Sequence, residues 1–449
     1  MEKTRVYLER SKSSPINLWL DREDVLSPHD PFLDLVPSAV GRLKSLSVNV
    51  SWNTLPHITD QLFRPAPLLE RLDVDIKREY SLLPNPILTP TLFDGDLSSL
   101  RELRLRFVRT ELPWRNMINL TSLTLGHMPP DEVSIRHLLD FLESAPRLRI
   151  IELRSATPTS DPQNGRLVSL PCLKRMVIVG DGPSSSLLDH LLIPVGATLA
   201  TKSTSHAPLI EDNLPRYLDN LKNLLDFTTI SLRAGTFFSQ MRFTGPNGEV
   251  SVEPSFAGID AGADTMLESL IHINTSKTQR LDILRTNPPS RSLPYYILLS
   301  MKNLHTLTLT ECQNPRAFIH ALHPGLKPSD VVVCPNLKEL VFVFRGRWER
   351  FDIKDVIAMA AARMFKAAQL RSVKITYKWE QLDPGDILEL KKYVLCVEHG
   401  PEAGPVNGER DGRGGGSDDS DDDSDDDSDD DGDDSYDSYD YSDDSDEED

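Results

Sequence analysis

One six-residue pattern of apolar and polar positions recurs along the chain: apolar-x-x-apolar-x-apolar. It reads LKSLSV at 43–48, LERLDV at 69–74, LRELRL at 100–105, LTSLTL at 120–125, LRIIEL at 148–153 and LKRMVI at 173–178. It returns as LHTLTL at 304–309, LKELVF at 337–342 and LRSVKI at 370–375. Starts lie 26, 31, 20, 28 and 25 residues apart in the first group, then 33 and 33 in the second. Such spacing fits, or slightly exceeds, the range of leucine-rich repeats, and its unevenness points to connecting segments of varying length. Strand geometry accounts for the pattern, because successive side chains point to opposite faces. In LRELRL, Leu103 and Leu105 point into the core, while Glu102, Arg104 and Arg106 stand on the other face. Leu100 enters the core as the chain turns into the strand. One repeat cannot bury its own apolar face, whereas stacked repeats can.

Between the strands the pattern turns helical. Ile135, Leu138, Leu139 and Leu142 make one stripe at helical spacing, and Leu214, Tyr217, Leu218, Leu221 and Leu225 make another. DVIAMAAARMFKAA at 355–368 opens on an acid and is rich in good helix formers. Pro67, Pro146, Pro171 and Pro335 precede a repeat leucine by one to two residues and are read as ending a helix and directing the chain into extended geometry. The stretch 179–303 carries the motif poorly. FTTISLRAGTFFSQMRFTG at 227–245 predicts two strands joined by a tight turn, and LESLIHI at 267–273 reads as a further strand. Two readings stay open there: an eroded central part of the repeat array, or a β-rich interruption. The fold class is therefore α/β, an irregular leucine-rich-repeat solenoid with a curved parallel sheet and outer helices. It spans 1–398, with 179–303 divergent. A Gly/Pro-rich linker follows at 399–416, and 417–449 is a disordered tail without apolar surface.

Charge changes the picture once it is localised. The chain of 449 residues carries a net charge of −20. Residues 417–449 hold 21 Asp/Glu and no Lys or Arg, which leaves 48 acids against 49 bases over 1–416. The folded part is thus nearly neutral, which argues against nucleic acid as a partner. No run of 18 or more apolar residues is present, so no membrane partner is expected. MEKTRVYLERSKSS does not read as a secretory signal, and the expected location is cytoplasmic or nuclear. Cys172, Cys312, Cys334 and Cys396 form no metal-binding spacing and read as reduced thiols acting as small core residues.

Several phrases resemble the F-box/leucine-rich-repeat-like proteins abundant in mushroom-forming fungi: APLLERLDV, LRELRLRFVRTELPW, NLTSLTLG, LLDFLESAPRLRIIEL, VSLPCLKRMVIVG, NLHTLTLTEC, CPNLKELVF and AAARMFKAAQLRSVKI. YLERSKSSPINLWLD resembles the segment that follows the F-box in that family. The resemblance covers about residues 7–390 and implies the substrate-recognition region of a receptor in a cullin-type ubiquitin ligase. The F-box itself, opening on a Leu-Pro-x-Glu phrase, is not found, so the ligase-docking half is not expected in this chain.

Signatures of catalysis are not found: no GxSxG elbow, GxxxxGK[ST] loop or HExxH helix occurs. GRGGGS at 412–417 lacks the strand-to-helix setting of a phosphate loop, and His320 and His323 read as surface histidines. No cofactor and no metal are expected. The alternation instead offers a binding face for a protein target, with Arg71, Asp73, Asp75, Glu102, Arg104, Arg106, Glu152, Arg154 and Arg175 as the candidate contacts. Thr306, Thr308, Thr310, Glu339, Lys374 and Thr376 continue that face in later strands. The tail is a second candidate element. Ser420, Ser424 and Ser428 are each followed by three acids, a context for acid-directed kinases, and the tail's charge suits basic proteins as partners without any ubiquitin role.

Overall fold

A computed structural model describes residues 2–21, 33–77, 86–88, 92–110, 117–128, 134–156, 165–180, 184–203, 213–214, 221, 226–234, 239–253, 266–286, 292–312, 314–325, 331–345, 351–378 and 382–401. The acidic tail and the linker beyond Pro401 lie outside the described residues. The protein is α/β, built on one large, mostly parallel sheet of sixteen strands. In chain order these are β1 (Ile16–Asp21), β2 (Leu43–Ser51), β3 (Arg71–Lys77), β4 (Glu102–Arg106), β5 (Ser122–Gly126), β6 (Ile150–Arg154), β7 (Arg175–Gly180) and β8 (Thr198–Ser203). Then come β9 (Thr229–Ala234), β10 (Ser239–Gly245), β11 (Gly248–Glu253), β12 (Arg280–Leu284), β13 (Thr306–Thr310), β14 (Glu339–Phe344), β15 (Ser372–Tyr377) and β16 (Cys396–Pro401).

All nine motif phrases lie on this sheet, and in each one all three apolar side chains are buried. Leu103, Leu123, Ile151 and Leu307 are at most 1% exposed. They stack in register, with Leu103 opposite Leu123 and Leu123 opposite Ile151, so the buried leucines form continuous rows. Helices add their apolar stripes to the same core. Ile135, Leu138, Leu139 and Leu142 of the helix Ile135–Ser144 are buried as their spacing predicts. The helix Ile353–Phe365 starts at Asp352, whose carboxylate accepts from the Lys354 N–H at 2.9 Å. The second predicted stripe lies mostly outside the described residues. Its Leu221 is buried and forms a parallel bridge with Ile193, so the chain is not helical at that point.

The prolines act differently from the expectation. Before most motif strands an i→i+3 turn closes on the first leucine, as in Leu69 N–H to Ala66 O, Leu148 N–H to Ala145 O, Leu173 N–H to Leu170 O and Leu337 N–H to Cys334 O. Pro67, Pro146, Pro171 and Pro335 occupy the second position of these turns, where a fixed φ is preorganised. Successive turns are tied together by side chains. Asn119 Nδ2 donates to Ser98 O at 2.8 Å, Asn303 Nδ2 to Ser276 O at 2.8 Å and Asn336 Nδ2 to Lys302 O at 3.1 Å. Strand exits repeat as well. Phe107, His127, Ser155, Arg285 and Glu311 each follow a strand with φ between +47° and +56°.

The strands of the divergent region belong to the same sheet. The sheet runs through it without a break, in the order β7-β8-β11-β10-β9-β12. The pair β9 and β10 is antiparallel, as expected, but a third strand, β11, completes an antiparallel meander. The loop between β9 and β10 lies outside the described residues. Pro246 and Asn247 turn the chain from β10 into β11, and the glycines on either side are required. A Cβ on Gly245 would sit 2.6 Å from Asp226 O, and Gly248 has φ +126°. LESLIHI is not a strand: residues 266–269 are helical, and Leu267 and Leu270 are buried at a spacing of three. The last strand, β16, ends at Pro401.

Candidate functional site

The leucines decide which face of the sheet is left for function. With one parity committed to the core, the other parity of β1 to β7 forms an open face of three registered rows. The first runs Arg71, Glu102, Ser122, Ile150, Arg175. A second joins Trp19, Ser47, Asp73, Arg104, Thr124 and Glu152. The third contains Asp21, Asn49, Asp75, Arg106, Gly126 and Arg154. All nine predicted contact residues therefore stand on one face of neighbouring strands. In the later strands Thr306 donates to Glu339 at 3.1 Å, and Lys374 lies 3.4 Å from Glu398.

This face is largely self-neutralised. Arg71 lies 3.4 Å from Asp73 and 3.7 Å from Glu102, and Arg104 lies 3.6 Å from Asp73. Arg106 donates to Asp75 at 2.8 Å, Lys77 pairs with Asp21 at 2.8 Å, and Arg154 pairs with Glu152 at 3.5 Å. Such exposed pairs each contribute about 0–1 kcal/mol, so they set a charge pattern more than they brace the sheet. Burial pushes the Asp75 carboxyl above its usual range despite the neighbouring Arg106. Two features were missed in the sequence. The apolar-polar alternation of INLWLD marks β1, and it places Trp19, 72% exposed, on the open face. His127 stacks on Phe107 with ring centroids 4.2 Å apart, both at strand exits.

The remaining candidates lie elsewhere. His320 Nε2 accepts from Arg316 at 3.3 Å and lies 3.8 Å from Asp355, on the helix Pro315–Leu322. No group of three or more His, Cys, Asp or Glu among the described residues could hold a metal ion. No described helix is long and apolar enough to cross a membrane. The cysteines are not all core residues: Cys312 and Cys334 are buried, but Cys172 and Cys396 are exposed. Burial pushes the Cys312 thiol up to about 11 and the Cys334 thiol up to about 12. No protein-family model matches the chain. No curated protein matches it.

Proposed function

We propose that the chain is a non-enzymatic protein-binding scaffold of the leucine-rich-repeat type, whose open sheet face receives a protein target. The observation that carries this reading is the registered charge pattern on neighbouring strands, with the exposed Trp19 in the same rows. Exposed aromatics and arginines are the side chains that most often dominate binding energy. The repeated turn, buried leucine triplet, strand and left-handed exit support a repeat array. In the reading suggested by resemblance to the fungal F-box/leucine-rich-repeat-like proteins, this face holds the substrate of a cullin-type ligase.

The test must separate recognition from folding, because the face charges pair with each other. Exchanging the Asp75–Arg106 pair, as the double variant Asp75→Arg/Arg106→Asp, keeps the cross-strand pair and inverts the outward pattern. Quantitative affinity purification with mass spectrometry should then show proteins retained by the native chain and lost by the exchanged one, at an unchanged melting temperature. An identical set of retained proteins removes this face as the site.

A further inference from the structure

Unpaired positive charge collects along the leading rim of the open face, where the chain turns into the strands. There a groove of about 910 Å³ is lined by Lys44, Glu70, Arg101, Arg147, Arg149 and Cys172, among others. Its floor is the residue before each strand, held by a hydrogen-bond ladder. Arg101 N–H donates to Glu70 O, Thr121 N–H to Arg101 O, Arg149 N–H to Thr121 O and Lys174 N–H to Arg149 O, each at 2.8 Å. Arg147 is oriented by donating to Asn119 Oδ1 at 2.7 Å, while Asn119 is itself tied to Ser98. The local acids are engaged: Glu70 with Lys44 at 3.9 Å and Glu102 with Arg71 at 3.7 Å. Arg101, Arg147, Arg149 and Lys174 are exposed, and none has a carboxylate within ion-pair distance among the described residues. Of the five arginines on the open face of β1 to β7, Arg71, Arg104, Arg106 and Arg154 are paired, and Arg175 has no carboxylate within ion-pair distance among the described residues.

We propose that this groove binds an extended Asp/Glu-rich segment of a partner protein. Neighbouring strands lie about 4.8 Å apart, so Arg101 and Arg149, both lining the groove, are about 10 Å apart, and Lys174 stands outside the lining one strand further on. A peptide in the polyproline II form has three residues per turn and advances about 3.1 Å per residue, so every third carboxylate of an acidic run returns to the same side about 9 Å on and can meet Arg101 and then Arg149. Glu70 and Glu102 stand inside the groove, and the basic row is short. A duplex or single strand of nucleic acid needs a broader field to neutralise successive phosphates. This site uses residues other than those exchanged on the open face, so the two readings stand or fall separately.

The probe is a fluorescein-labelled 16-residue peptide of alternating Asp and Glu, titrated into the full chain and followed by anisotropy. Saturable binding that weakens at least about tenfold between 50 and 300 mM salt is expected. The variant R101E/R147E/R149E should lose at least about tenfold in affinity, while R136E/K354E/K391E, with the same charge change elsewhere, should stay within about twofold. Saturating peptide should slow alkylation of Cys172 and leave Cys396 unchanged. Equal weakening in the two triple variants, or no protection of Cys172, overturns the site. A 16-nucleotide single strand that binds as tightly as the peptide overturns the assignment to an acidic protein segment.

Discussion

Arg363 offers the sharpest test of how the repeats are held together. It sits in the helix Ile353–Phe365 and is fully buried, at 0% exposure. Its guanidinium donates to Val333 O and Cys334 O at 2.8 Å each and to Leu322 O at 3.4 Å, the last at the C-terminal end of the helix Pro315–Leu322. One side chain thus closes a helix end and the turn that leads into β14. It has no carboxylate partner among the described residues, Nε has no acceptor, and burial lowers its pKa. Truncation to Ala bares Val333 O and Leu322 O, at about 1–3 kcal/mol each, while Cys334 O keeps the Leu337 N–H, and it leaves a cavity worth about 2–5 kcal/mol more. Relief of the buried charge returns several kcal/mol. The net loss expected for Arg363→Ala is about 3 kcal/mol, and for Arg363→Met, which keeps the stem, about 1 kcal/mol.

The assay uses Cys334, whose thiol donates to Leu298 O at 3.1 Å beside this cluster. Native-state alkylation of a buried thiol proceeds through local opening, so its rate follows the opening equilibrium. A loss of about 3 kcal/mol should speed modification of Cys334 by about 150-fold in Arg363→Ala and by less than tenfold in Arg363→Met. Cys172 and Cys396 serve as exposed references in the same peptide map. Removing the cation would raise the thiol pKa and slow reaction, so acceleration can come only from opening. Unchanged Cys334 kinetics in Arg363→Ala would refute the role of Arg363 as the clasp between these segments.

The Cys312 thiol sits at about 11 in the fold against an ordinary 9.0, so its contribution is complete below pH 9 and lost as pH rises to about 11. The native chain should therefore lose about 3 kcal/mol more than Cys312→Ala across that window, read as the difference between their pH-dependent denaturation midpoints. Thr201 and Thr278 are at most 1% exposed, and their hydroxyls have no hydrogen-bond partner among the described residues. Thr278→Val and Thr201→Val should each stabilise by about 1 kcal/mol in urea unfolding, and destabilisation would show that the hydroxyls are satisfied. Because burial outweighs Arg106 at Asp75, Asp75→Asn should leave the melting temperature at pH 7 within a degree or two. A large fall would mean that the pair braces the sheet.

The leucine triplets made most of the sheet legible, and the reasons for the gaps are specific. Phe227, Ile230 and Leu232 obey the motif and are buried, but an aromatic leads the phrase. Thr278, Leu281 and Ile283 also obey it, with a threonine where leucine is expected. The position needs only a side chain of suitable volume, and a buried hydroxyl costs about 1–3 kcal/mol without changing the backbone. LESLIHI misled because its apolar residues suit either period over so short a span. The nine face residues were legible because parity alone places them. Their mutual pairing was not, since Asp75 and Arg106 are joined only by the register of two strands. The rim nevertheless leaves a trace in the sequence: in six of the nine phrases the second position is basic, at Lys44, Arg101, Arg149, Lys174, Lys338 and Arg371, and in the others it is Glu70, Thr121 and His305. Those residues precede the strands and fall outside the alternation that drew attention to the face.

The meander shows why such a sheet tolerates an insertion without losing its open face. Both flanking contacts, β8 with β11 and β9 with β12, are parallel, so strand direction must match across whatever lies between. A single added hairpin would leave one border antiparallel and interrupt the ladder. Three strands, up, down and up, restore the direction at both sides. The cost is two connections that each cross two strands, since β8 and β9 lie three spacings, or about 14 Å, apart, as do β11 and β12. Ser203 to Thr229 and Glu253 to Arg280 span it with no more residues than join the neighbouring strands at Thr310 and Glu339. Side-chain parity is preserved too: Ala200, Ser251, Arg242, Ser231 and Asp282 continue one row across all five strands. The three strands therefore lengthen the open face and leave the rows on either side in register.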